Sequence, residues 1–499
     1  MSARQCFIGI DVGLTAAKAA AFDADGNELR TYSAPNPRKA VASDRQEIDM
    51  LALWDVVSQV LTSLCGWLDD NGWVPRSVGA TGHGNGLYLV DGQLNPVRPA
   101  FASTDTRSEF IVAELDEVTV ERIRAMTGSM PWAGQPGVLL RWLQDNDPEA
   151  LSDSQWALTC KDWINACLTG RAHADYSDAS ACGLVNLAER TYEPEVFDML
   201  GLPRDLMYLQ PPLARSNEVI GAVSEKASTS TGLPVGVPVV AGCMDCVASP
   251  LGAGATERGA VTIIVGTWAI NSVVVPVSEA PPRVTLNALL PNPELMLAAE
   301  VAPTSAASIE WYSSLMSSLS SDSVTPQQLL AAAAGVPAGA DGLLFLPFVH
   351  GAPEHLGASG TLIGAKGSHG YSEIARAVAE GITQYHRVQL AKVGLSGATV
   401  SDEPWTLAGG GAKNSLWAQI FADVIGHPVR RQLGTELGAR GAALLAAEGI
   451  NIDTASWQMS PDPSLVVEPG DDRETYRVQG ERFDRVLAAM GTVWTEASR

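Results

Sequence analysis

A chain of 499 residues is too long for one hydrophobic core, so two domains of roughly 200 to 250 residues are expected. With 46% hydrophobic and 18% charged residues it has the make-up of a folded soluble protein, not a disordered one. Its 33 basic against 56 acidic residues, a formal charge of −23, argue against nucleic acid or an anionic membrane as partner, so any phosphate must be held locally by backbone amides and Mg²⁺.

The amino terminus reaches its first apparent strand within a few residues, without an apolar signal segment, and no uncharged run is long enough to span a bilayer. A cytoplasmic protein is expected. Seven scattered cysteines fit reduced thiols better than a disulfide framework, and no second pair or His cluster completes a zinc site with Cys243 and Cys246.

In chain order, Phe7 to Val12 is an apolar run that ends on Asp11, Gly13 and Thr15, and a second run, Ala19 to Phe22, stops at Asp23-Ala24-Asp25-Gly26. This predicts a hairpin. A carboxylate at the end of a buried strand costs several kcal/mol unless a cation answers it, and hydrated Mg²⁺ beside a phosphate-sized loop is one answer. The small residues after Asp11 would let the amides of Gly13 to Thr15 approach phosphate oxygens. An ordinary hairpin capped by a turn carboxylate is the plainer alternative.

Asp49 is placed to cap a helix whose apolar side is Trp54, Val57, Leu61, Leu64 and Leu68. Ser77 to Gly82 then predicts a strand opening into Gly82-His83-Gly84-Asn85-Gly86, with a hairpin partner at Leu87 to Val90. The loop either faces a polar ligand with its backbone and imidazole or is a glycine-rich turn with a surface histidine. Asp105 and Arg107, two apart in a small neutral stretch, either hydrogen-bond vicinal hydroxyls or bridge to each other. Leu139 to Leu143 and Trp163 to Leu168 are helix cores, and Lys161-Asp162 and Asp175 to Ser180 are expected as polar turns between elements.

A Gly, Pro and Val-rich strand from Gly232 to Ala241 approaches a domain boundary and runs into a second lone acid, Asp245. Gly259 to Val274 then repeats the opening pattern of apolar strand, Gly-Thr turn and apolar strand, which suggests a duplicated unit whose turns at Gly13 to Thr15 and Gly266 to Thr267 hold a phosphate chain. Later, Ser372 to Val393 predicts a helix, and Thr406 to Ser415 reads as strand, glycine turn and helix start, a place for a nucleotide phosphate. A last amphipathic helix carries Tyr476, Phe483, Val486, Leu487 and Met490.

The ordered set of acid-Gly-Thr-Lys hairpin, Gly-x-Asp at mid-chain, Gly-Thr turn and GGGAKNSLWAQIFADVIG resembles the FGGY carbohydrate kinases from Phe7 to about Ala447. Gly82 to Asp91, Leu139 to Leu143, Cys167 to Gly170, Val265 to Ala269 and Ala302 to Ser305 are similar to segments of the family's L-xylulose-phosphorylating members. The resemblance implies an α/β fold of two duplicated RNase H-like (actin/hexokinase-type ATPase) domains with a cleft between them, spanning 1–241 and 242–499.

It also implies an enzyme that moves the γ-phosphoryl group of ATP to a terminal hydroxyl of a ketopentose such as L-xylulose, with Mg²⁺. Asp11 and Asp245 would hold the metal, and Asp245 matches the base that takes the acceptor's proton. Gly13, Leu14, Thr15, Lys18, Gly266 and Thr267 would serve the β- and γ-phosphates, and Gly410, Gly411, Ala412 and Asn414 the α-phosphate and adenosine. His83, Gly84, Asp105 and Arg107 would contact the sugar, together with Asp245. The family also allows a homodimer. A tetritol or pentitol acceptor, an actin- or Hsp70-like ATPase and a silent sugar sensor are the alternatives.

Overall fold

The computed structural model describes residues 4–42, 44–281, 284–319, 323–352, 357–393, 400–434, 436–457 and 462–497. The chain forms two compact units, residues 1–256 with 275–298 and 436–459, and residues 257–274 with 299–435 and 460–499. The cut expected after Ala241 therefore falls inside the first unit, and the chain re-enters that unit twice.

In the first unit β1 (Arg4–Val12) and β2 (Ala16–Phe22) form the expected hairpin, which β3 (Glu28–Pro35) extends. Helix α1 (Met50–Asp70) is capped by Asp49, whose carboxylate accepts the Ala52 N–H at 3.0 Å, a contact worth about 1 kcal/mol. Val57, Leu61, Leu64 and Leu68 are buried in the same core as Ile8, Ile10 and Val12. By length and apolar content α1 would also suffice to cross a membrane, but its apolar side is spent on this core. Strand β4 (Trp73–Gly82) runs parallel to β1.

Tyr88–Val90 does not fold back on β4 as a hairpin. It pairs antiparallel with Trp156–Leu158, a partner some 70 residues downstream that no local turn signal announces. The two stretches expected as polar turns are also helical. Lys161 and Asp162 lie in α2 (Cys160–Thr169), Asp175 caps α3 (Tyr176–Ala181), and all three side chains are buried.

Further along, β5 (Val219–Ala222) pairs antiparallel with β6 (Pro238–Val240), which lies parallel to β4. The short β7 (Cys243–Met244) also adds to β4 and leads directly into α4 (Asp245–Gly252).

The second unit repeats this plan. Strands β8 (Val261–Val265) and β9 (Ala269–Pro276) form a hairpin, followed by α5 (Ala306–Leu319) and α6 (Tyr371–Lys392). Next, β10 (Trp405–Ala408) lies parallel to β8, and past α7 (Ser415–Ile425), β11 (Val429–Arg431) lies parallel to β10. Helix α8 (Leu437–Gly449) returns to the first unit and packs on β1 and β4. Finally β12 (Val466–Val467) pairs antiparallel with β11, and α9 (Arg473–Ala497) buries Tyr476, Phe483 and Leu487.

Hairpin, two parallel strands and a closing antiparallel strand thus occur in the same sequence in both units: β2, β1, β4, β6, β5 and β9, β8, β10, β11, β12. The duplication legible in the Gly-Thr turns extends to the sheets that carry them.

Candidate active site

Asp11 is the penultimate residue of β1 and lies partly buried beside the turn that joins it to β2. Within that turn the Gly13 N–H donates to Ala16 O at 3.0 Å, and Asn36 donates its backbone N–H to Thr15 O and its side-chain amide to Gly13 O. The Gly13 amide is therefore committed to closing the turn. Leu14 and the exposed Thr15 form its tip.

Burial pushes the Asp11 carboxyl up to about 7; the Asp245 and Glu436 charges act in the same sense and Lys18 opposes them. Lys18 and Glu436 form an ion pair at 2.9 Å. Glu436 precedes α8, and a Cβ on Gly438 in the first turn of that helix would stand 2.5 Å from Asp11 Oδ2. Only glycine lets that helix end approach the carboxylate so closely. Neither Glu436 nor Gly438 stood out in the sequence, because both lie more than 400 residues from Asp11.

Asp245 is the first residue of α4 and, like Asp11, partly buried. Burial raises its carboxyl to about 6, against hydrogen bonds from Cys246 and the backbone of Gly84 that favour the charged form. The Cys246 N–H donates to Oδ1 at 2.7 Å. A Cβ on Gly84 would fall 2.2 Å from Cε of Met244, so a larger residue there would have to displace the side chain that precedes Asp245.

The same loop holds His83, which is buried, so the surface-histidine alternative does not hold. Its N–H donates to Val12 O at 2.9 Å, and its Nε2 lies 3.0 Å from the Tyr88 hydroxyl. Asn85, next but one, adopts φ 60 and buries its Oδ1 without a hydrogen-bond partner. A non-glycine residue in the left-handed region with an unanswered buried oxygen marks a strained position of the kind found at ligand sites.

Asp105 and Arg107 take the second of their two alternatives. The guanidinium grips the carboxylate with Nε to Oδ1 and NH2 to Oδ2, both 2.9 Å, and NH2 also reaches Glu47 at 2.9 Å. Asp105 further accepts the Gln46 N–H at 2.8 Å. Both side chains are buried, and Arg107 lies over the rings of Phe101 and Trp142. This pair anchors the wall of the first unit behind the loop.

In the second unit the Gly266 carbonyl accepts the Ala306 N–H at 2.8 Å, while Thr267 and Trp268 are exposed. The glycine turn after β10 is a short 3₁₀ helix, Gly410–Lys413, clamped by Arg431, whose Nε and NH2 donate to the carbonyls of Ala412 and Lys413 at 2.7 Å each. Gly410 is exposed, whereas Gly411 and Ala412 are buried. Asn414 caps α7, its Oδ1 accepting the Trp417 N–H at 3.0 Å. The turn thus presents backbone, not side chains, to a ligand.

A hydrated divalent cation suits the donors around Asp11. Mg²⁺ keeps several waters and is held through one or two carboxylates. Burial raises both the Asp11 and the Asp245 carboxyls, and the Asp245 charge adds to the rise at Asp11, the state that a cation relieves; among the described residues no larger group of ligating side chains competes with them.

Comparison with known proteins agrees with these features. Residues 6–252 match the N-terminal domain, and residues 261–449 the C-terminal domain, of the FGGY family of carbohydrate kinases. The L-xylulose/3-keto-L-gulonate kinase of Escherichia coli is 27% identical over 97% of each chain, and a probable L-xylulose kinase of Pasteurella multocida is 27% identical over 97% of this chain and 99% of its own. The crystal structure of xylulose kinase from Rhodospirillum rubrum superposes with a TM-score of 0.87 at 28% identity, covering 98% of this chain and all of that one. With both family domains matched in order over most of its length, the chain belongs to the FGGY carbohydrate kinases.

Proposed function

We propose that this kinase transfers the γ-phosphoryl group of ATP to a terminal hydroxyl of a ketopentose such as L-xylulose, with Asp245 as general base. The observation that carries the reading is the setting of Asp245: a carboxyl raised by burial, fixed by the Cys246 N–H and bonded to the Gly84 backbone in the loop that also holds His83 and Asn85. Its weakened preference for the charged form makes it a better proton acceptor than a solvated aspartate.

In this reading the acceptor hydroxyl gives its proton to the Asp245 carboxylate as its oxygen bonds to the γ-phosphorus and the bond to the bridging oxygen of ADP breaks. Phosphoryl transfer has a loose transition state, so alignment and charge neutralisation carry most of the rate. His83, Gly84 and Asn85 form the sugar side, and the Asp105–Arg107 pair, bridged to each other, acts as its support and not through hydrogen bonds to hydroxyls. Asp11 and Asp245 would hold Mg²⁺, which supplies positive charge to the phosphates when bound. Leu14, Thr15 and Lys18 serve the phosphates in the first unit. Gly266, Thr267 and the Gly410 to Asn414 turn are the nucleotide groups of the second.

The likeness to kinases named for L-xylulose and xylulose supports the ketopentose. Hydroxyl geometry in the pocket selects among polyols. A coupled ADP-release assay with Mg-ATP against ketopentoses, aldopentoses, tetritols, pentitols and glycerol tests the assignment. Strong preference for L-xylulose or another ketopentose is expected. Preference for a tetritol or pentitol would overturn the acceptor, and ADP release independent of any sugar would overturn the whole reading.

A further inference from the structure

We propose that Ser177 and Ser216 are positioning residues for Asp245, and that the buried ion cluster around Lys161 holds them in place. The inference rests on the reading of Asp245 as the base.

Lys161 is fully buried, and its Nζ stands 2.5 Å from Asp162, 2.8 Å from Asp175 and 3.6 Å from Asp178. Three carboxylates around one ammonium exceed what charge balance needs. Thr159 Oγ lies 2.9 Å from Asp162 Oδ2 and 2.7 Å from Asp178 Oδ2. A hydroxyl has one hydrogen to donate, so both contacts are hydrogen bonds only when one of the two carboxyls carries a proton. Burial raises both, Asp178 to about 7, which agrees with that proton.

Such a cluster is a poor source of net stability, because desolvation offsets most of the attraction. What it fixes is position, and its connections run towards Asp245. Asp175 caps α3 through the N–H groups of Ser177 and Asp178, and its Oδ2 accepts the Ser216 hydroxyl at 2.7 Å. The Ser216 carbonyl accepts the Gly242 N–H at 2.8 Å, and Ser177 Oγ accepts the Met244 N–H at 3.2 Å. From α2, Asn165 donates to the Ala241 carbonyl at 2.8 Å, and from β4, Thr81 donates to Cys243 O at 2.7 Å.

Every residue from Ala241 to Met244 is therefore pinned, two of them through groups that hang on Asp175. The next residue is Asp245. Phosphoryl transfer depends on alignment, and displacement of a reacting group by about 1 Å can cost about 10²-fold. Loss of one pin from a segment held at several points, its pairing with β4 among them, allows a smaller shift, and for Ser177→Ala we expect about a tenfold loss.

The test is a double-mutant cycle. Turnover and both KM values are measured for Ser177→Ala and Ser216→Ala, each alone and combined with Asp245→Asn, after thermal melting confirms a folded enzyme. Ser177→Ala removes the Met244 pin and is expected to lower kcat about tenfold, and Ser216→Ala, which loses only the tie of its hydroxyl to Asp175, about threefold, each with KM for sugar and nucleotide within about twofold. Neither should reduce the residual turnover of Asp245→Asn further, because a positioning residue has nothing to place once the base is gone. Full kcat in the folded serine variants, or losses that multiply with that of Asp245→Asn, would overturn the inference and leave the base intact. Full turnover in Asp245→Asn would overturn the base and the inference together. Ser216→Ala keeps its carbonyl bond to Gly242, so it decides the matter should Ser177→Ala fail to fold.

Discussion

The segment that leads to Asp245 in the first unit and the Gly266 turn in the second are braced from beneath by buried polar networks built of opposite materials. Under Asp245 the brace is ionic: Lys161 among Asp162, Asp175 and Asp178. Under Gly266 it is neutral. The Ser305 hydroxyl meets His386 Nε2 at 2.9 Å, His386 Nδ1 meets Asn271 Oδ1 at 2.8 Å, and Asn271 passes a bond of 2.8 Å to Gln389. The residue after Ser305, Ala306, donates its N–H to Gly266 O. Because Asn271 Oδ1 can only accept, His386 carries its proton on Nδ1 and accepts from Ser305 at Nε2. The two units thus support two different loops of their duplicated sheets by different chemistry, and the two supports should fail differently.

Removing one partner of a buried ion cluster leaves uncompensated charge. Lys161→Met is expected to cost about 3–5 kcal/mol of stability, the largest loss among these variants, read as a lower urea midpoint. A loss below 1 kcal/mol would mean that the carboxyls neutralise each other by taking up protons.

Acid should drive the two supports in opposite directions. His386 is held neutral by burial down to about 3, whereas in the unfolded chain it takes a proton near 6.5. Between those values the unfolded state binds more protons, so acidification destabilises the second unit's network. Asp178 has the reverse sign. Raised to about 7 by burial, it holds a proton in the native state from 7 down to its ordinary 3.8, so its contribution to stability grows as pH falls through that window. Hydrogen exchange between pH 7 and 5, corrected for intrinsic rates, should show protection falling around residues 381–389 and holding or rising around 176–181. Movement of both in the same direction would contradict the comparison.

Asn271→Ala leaves the buried His386 Nδ1–H without its acceptor and should cost about 1–3 kcal/mol, less than Lys161→Met because no charge is stranded. The smallest effect is expected at the glycine turn, where Asn414→Ala removes only a helix cap and should cost about 1 kcal/mol. Thermal melts rank these two.

What was legible in the sequence was what local chemistry decides. The β1–β2 hairpin, the buried side of α1 and the strand, glycine turn and helix around Gly410 follow from apolar period, caps and turn residues. The family pattern added the order of these parts. What stayed hidden depends on distant partners. Lys161-Asp162 and Asp175-Tyr176-Ser177-Asp178 have the composition of solvated turns, and only the meeting of the first turns of α2 and α3 reveals one buried cluster. The partner of Tyr88–Val90 and the approach of Gly438 to Asp11 were hidden for the same reason. For Asp105 and Arg107 the spacing alone left two outcomes open, and folding selected the ion pair.

The most direct test of the account is single-turnover kinetics of Asp245→Asn with L-xylulose and Mg-ATP beside nucleotide binding to the same variant. A loss of phosphoryl transfer by about 10²- to 10⁴-fold with nucleotide affinity unchanged is the predicted result. Transfer at the rate of the unaltered enzyme would contradict it, because no proton acceptor at residue 245 would then be needed.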